Sequence, residues 1–165
     1  MSIWGKIIGG TAGFALGGPI GAILGVMVGG SLTRSTKKFT STINISQQQK
    51  QNIFAISVII LSAKIAKADG QVTKDEIYAF KEKFKVPENE ISEVGKIFNE
   101  AVKSKDGYEQ VAKQVGTLFS DNKIILEELL NNLFHIAESD GITSKEEIEI
   151  LKSISKSFGL SQNDF

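Results

Sequence analysis

The side chains best suited to chemistry in this 165-residue chain are four carboxylates, Asp69, Glu76, Asp140 and Glu147. Each Asp precedes a glycine, and each Glu follows its Asp at the same interval. Four oxygen donors gathered by two related turns would suit a hard divalent cation such as Ca²⁺ or Mg²⁺. The same residues also have a purely structural use. Gly70 and Gly141 supply the positive φ that commonly ends a helix, and Thr73 with Glu76, like Ser144 with Glu147, has the capping-box spacing that opens the next one. Capping accounts for most of the motif, and the shared cation site is the alternative. Neither loop has the D-x-D-x-D-G pattern of an EF-hand. His135 falls on the polar side of its helix beside Glu128, Asn131 and Glu138, and reads as a solvated side chain. Glu127/Glu128 and Glu146/Glu147 read as ordinary surface charges.

The rest of the inventory argues against catalysis. There is no Cys and only one His, so thiolate nucleophiles, disulfides and zinc-thiolate sites are excluded. No phosphate-binding loop, H-E-x-x-H or G-x-S-x-G motif is present. The 19 basic and 19 acidic residues balance, but they are segregated. Residues 1–50 hold five basic groups and no acidic one, whereas residues 51–165 hold 14 basic and 19 acidic ones. An acidic soluble part lacks the basic face that nucleic acid requires. The chain reads as no enzyme, without a cofactor, and as no nucleic-acid binder.

These residues are carried by two unlike materials. Residues 1–32 form a glycine-rich segment within a 27-residue run, Ile7 to Thr33, that holds no charge. As a helix that run would span roughly 40 Å, more than a bilayer's hydrocarbon core. Gly5, Gly9, Gly13, Gly17, Gly21, Gly25 and Gly29 recur at every fourth position, which aligns them as one stripe on a helix. Small-xxx-small stripes let membrane helices approach closely, so a homodimer through this transmembrane helix is expected. Pro19 bends the segment, and a single kinked span is favoured over a re-entrant hairpin. Arg34, Lys37 and Lys38 outweigh Lys6 and the N-terminus, which places the C-terminal part in the cytoplasm. Residues 33–46 form a basic, Ser/Thr-rich juxtamembrane linker.

Residues 47–165 read as all-α. A helix from Ser46 to Ala68 is apolar on nearly every face and should lie buried at the centre. The others show one-sided stripes: Ile77, Phe80, Phe84; then, after Pro87 in its first turn, Ile91, Val94, Phe98, Ala101, Val102; then Tyr108, Val111, Ala112, Val115, Leu118, Phe119. The fifth carries Leu126, Leu129, Leu130, Leu133, Phe134, Ala137, and the sixth Ile148, Leu151, Ile154, Phe158. The helical part also repeats itself. Ile65-Ala66-Lys67-Ala68-Asp69-Gly70 returns 71 residues later as Ile136-Ala137-Glu138-Ser139-Asp140-Gly141. Phe84-x-Val86-Pro87-x-Asn89 returns as Phe158-x-Leu160-Ser161-x-Asn163. The final residues, Leu160 to Phe165, read as the start of a further helix, as in a fragment or a domain that has lost its last helix.

The doubled A-x-x-D-G-x-x-[ST]-x-x-E resembles the TerB-like tellurite-resistance domain. Behind an N-terminal Trp4-Gly5-Lys6-Ile7-Ile8-Gly9 membrane segment, it is similar to the N-terminal region of membrane-anchored DnaJ-like co-chaperones of the DjlA type. The resemblance implies an inner-membrane, non-enzymatic interaction or scaffold protein. A J domain with its His-Pro-Asp motif normally follows in that family, and this sequence has none, so an Hsp70 partner is expected only if a J domain follows in a longer chain. Two other functions are compatible with the residues: a TerB-like divalent-cation or tellurite/stress-response binding module, and a glycine-zipper membrane-perturbing protein.

Overall fold

A computed structural model describes residues 47–68, 74–103, 107–139, 141–161 and 163. The membrane segment, its glycine stripe and the linker lie outside these residues. Among the described residues six α-helices follow one another: α1 (Gln47–Ala68), α2 (Lys74–Phe84), α3 (Ile91–Lys103), α4 (Tyr108–Leu118), α5 (Lys123–Ala137) and α6 (Lys145–Ser157). No strand occurs among them, in keeping with an all-α domain.

The helix α1 is central, as its uniform apolarity demands. From Ile53 to Ala66 every described side chain but Phe54 is buried, and it packs against α3, α4, α5 and α6. Ile53, Ile56, Ile59, Ile60 and Leu61 are wholly enclosed. Full burial of such a side chain contributes about 1.5–3 kcal/mol. A polar residue inside is costly unless it finds a partner. Ser57 does so within the helix, its Oγ donating to the Ile53 carbonyl at 2.6 Å.

The surrounding helices present the expected stripes, with two differences. Ile77 belongs to the α2 stripe but is 50% exposed, because α2 turns only its Phe80 edge fully inward. Pro87 precedes a 3₁₀ turn, Glu88–Glu90, and the α-helix starts at Ile91. Its fixed φ of −61° suits the extended cap of that tight turn. The Lys81–Glu88 ion pair, 2.9 Å long, ties α2 to the turn, holding the Glu88 carboxyl below and the Lys81 amine above their ordinary ranges.

The repeat is visible as shared backbone geometry. Helix α2 ends with Lys85 at φ 48°, and the Val86 amide donates to the Lys81 carbonyl at 3.1 Å. Helix α6 ends with Gly159 at φ 70°, and the Leu160 amide donates to the Ser155 carbonyl at 3.1 Å. Both are left-handed caps with the same six-residue closure. Glycine takes this conformation without penalty, whereas lysine does not. Elsewhere, buried Gly116 lets α4 lie directly on the end of α6: a Cβ there would stand 2.6 Å from the Ser157 carbonyl oxygen. Thermal unfolding monitored by circular dichroism should therefore move in opposite directions. Lys85→Gly should stabilise by about 0.5–1 kcal/mol, and Gly116→Ala should destabilise by about 1–3 kcal/mol through overpacking.

Candidate functional site

The second Asp-Gly turn is described except for Asp140. The end of α5 is closed by the Glu138 amide donating to Phe134 and the Ser139 amide donating to Ile136. Gly141 has φ 79°, the left-handed conformation expected of it, and its amide donates to the Glu138 carbonyl at 2.9 Å. The next helix opens with a complete capping box. The Ser144 Oγ accepts from the Glu147 amide at 3.1 Å, while the Glu147 carboxylate accepts from the Ser144 amide at 2.8 Å. Glu147 is 2% exposed, so it is a buried cap rather than the solvated charge that its neighbour Glu146 remains.

Of the other carboxylates proposed as cation ligands, Asp69 and Asp140 lie outside the described residues, as do Gly70 and Thr73. Glu76 sits in the first turn of α2, its side chain likewise outside them. Glu147 already commits one carboxylate oxygen to the backbone. His135, Glu128 and Asn131 on α5, and Glu138 at its C-terminal cap, are all exposed, as the helical spacing required. Glu127 is half-buried and pairs with Lys123 at 3.4 Å.

A wide concavity among the described residues lies elsewhere. A groove of about 660 Å³ opens between the first half of α1, the end of α2 and the Ile125–Asn132 stretch of α5. Phe54, Phe84 and Ile125, all half-buried, and the buried Phe119 form its apolar part. Carboxamides of Gln47, Gln51, Asn131 and Asn132 line it further, with Lys50, Lys83 and Glu128 as its charges. Sequence reasoning did not find it, because separate elements contribute a few residues each and no periodicity links them. A smaller apolar recess of about 120 Å³ lies between α2 and α3, where the exposed Ile77 meets Phe80, Ile91 and Phe98.

A family model described as tellurite resistance protein TerB matches residues 55–165. The chain belongs to the TerB family. Its TerB domain takes in all six helices except the first turns of α1. Residues 1–38 match a second model, the co-chaperone DjlA transmembrane domain. Two curated relatives carry the name co-chaperone protein DjlA. That of Legionella pneumophila subsp. pneumophila is 26% identical over 151 residues, covering 87% of this chain and 51% of the relative. That of Photobacterium profundum is 25% identical over 173 residues, covering 97% of this chain and 62% of the relative. The chain thus spans between half and two thirds of the relatives it matches. No solved structure matches it. No described helix is long and apolar enough to cross a membrane, and the transmembrane match falls wholly outside the described residues.

The capping and cation roles of the TerB turn make different demands on Glu147. Ser144→Ala should cost about 1 kcal/mol of stability in metal-free buffer. Glu147→Gln keeps an acceptor at the position where Gln also completes a capping box, so it should cost under about 1 kcal/mol. Calorimetric titration with CaCl₂ checks the alternative: micromolar Ca²⁺ binding that Glu147→Gln abolishes would assign the turn to a cation.

Proposed function

We propose that this chain is a membrane-anchored, non-enzymatic interaction protein that presents its TerB domain at the cytoplasmic face of the bacterial inner membrane. The succession of the two family matches in one chain, a DjlA transmembrane domain followed by TerB, carries this reading. It is the same order over which the chain aligns with proteins named as co-chaperones. The period-four glycines from Gly5 to Gly29 then self-associate within the bilayer, because missing side chains let two helices approach and gain dispersion contacts. The basic flank at Arg34, Lys37 and Lys38 retains the TerB domain on the cytoplasmic side. An Hsp70 partner belongs to this reading only for a longer chain in which a J domain follows.

The protein should resist extraction by alkaline carbonate, and its TerB domain should survive protease added to intact spheroplasts. Digestion of that domain from outside would contradict the orientation. In a membrane two-hybrid reporter, Gly25→Ile should lower self-association several-fold, while Gly30→Ile, one position off the stripe, should be tolerated. Equal signals from both would show that the stripe does not drive association.

A further inference from the structure

Chain length limits how far the groove beside α1 can lie from the membrane segment. The match to the DjlA transmembrane domain ends at residue 38, and α1 begins at Gln47. The eight residues between, Phe39 to Ser46, reach about 30 Å at most when fully extended. Gln47, Lys50 and Gln51, from the first turns of α1, all line the groove, so this edge of the domain is held within that distance of the end of the match. The lining suits a lipid surface. Phe54 and Phe84 are half-buried and leave part of their rings accessible there. Lys50 and Lys83 stand beside them, against a single carboxylate, Glu128, among the lining residues. Aromatic rings and long lysine stems with cationic ends settle together at the level of lipid headgroups. The domain as a whole has the opposite charge, since residues 51–165 hold 14 basic and 19 acidic side chains. An anionic leaflet repels that net charge and attracts the basic excess on the groove, which decides the face turned toward it.

We infer that the TerB domain seats this groove on the anionic lipid surface of its own membrane, with Lys50 and Lys83 on lipid phosphates and the accessible edges of Phe54 and Phe84 in the headgroup layer. The attraction fades within a Debye length, about 8 Å at physiological salt, and two lysines are too few to recruit a free domain. A short connection to the bilayer changes that, because it makes the encounter intramolecular and keeps the local concentration of the surface high. The seating is therefore weak, salt-sensitive and reversible. It rests on the membrane anchoring proposed above and adds to it a preferred orientation of the domain.

The chain has no cysteine, so a bimane fluorophore can be attached at one introduced site. Gln51→Cys places it at the groove, and Glu149→Cys places it on α6, which lines no part of the groove. The full chain is assembled into nanodiscs of phosphatidylglycerol and phosphatidylcholine in equal parts, with a trace of lipid carrying a nitroxide on its headgroup. Quenching at Gln51→Cys should exceed that at Glu149→Cys about threefold. Proximity to the anchor alone would also favour Gln51, so two comparisons isolate the seating. The excess should largely vanish in discs of phosphatidylcholine alone, and in phosphatidylglycerol discs when Lys50→Gln and Lys83→Gln are combined. Both lysines are on the surface, and circular dichroism checks that the double variant keeps its helices. Equal quenching at the two sites in anionic discs overturns the inference. So does an excess that survives both the neutral lipid and the loss of the lysines, and either result leaves the groove to a protein partner. A chain extracted by carbonate overturns the anchoring itself, whereas a carbonate-resistant chain with equal quenching overturns only the seating.

Discussion

Burial of α1 on all sides is the constraint from which the rest of the domain follows. A helix with apolar side chains around its whole circumference cannot be shielded by one neighbour, and four helices surround it. Its buried stretch is apolar apart from Ser57, Ser62 and Lys64, so what it asks of its neighbours is mainly contact area. The cover is complete from Ile56 to Ala66 and thins toward the N-terminal end, where Gln51 is exposed and Phe54 only half-buried. There the walls of α2 and α5 stand apart and the groove opens.

Repetition supplies the enclosing helices economically. A helix, an Asp-Gly pair in the sequence, a second helix and a left-handed cap occur twice, and the closing hydrogen bonds of both caps have equal length. The copies then diverge by role. The first copy's leading helix became the core, whereas the second copy's α5 kept a polar face with His135, Asn131 and Glu128 toward solvent. Contact between α4 and the end of α6 tightened until only a glycine fits at position 116. Glu147 shows how a residue type that invites a catalytic or cation reading is absorbed by structure: its carboxylate closes the helix and lies buried.

Much of this architecture was legible in the residues, because it rests on strong local signals. Continuous apolarity placed α1 at the centre, and the Leu126 to Leu133 stripe named the buried face of α5. Gly141 and the Ser144/Glu147 spacing specified their turn and cap. Other features left no such signal. Lys85 occupies a left-handed position that nothing about lysine announces, and only its alignment with Gly159 hints at it. Ile77 sits in phase with Phe80 yet faces the small recess, since periodicity gives a stripe's direction and not its width. The groove depends on distances between helices, which a pattern along one chain does not encode. The paired Asp-Gly carboxylates were legible as a motif, and the described geometry adds a structural occupation for Glu147 alone.

Native-state hydrogen exchange tests the central claim most directly, because it measures the free energy needed to expose each amide. If α1 is the element on which all others depend, its amides from Ile56 to Ala66 exchange only through global unfolding. Their opening free energy and denaturant dependence would then equal the highest values in the domain and match those of α5. Exchange of α1 through a smaller opening, with α4, α5 and α6 still protected, would contradict the account, since it would show those helices forming a core without it.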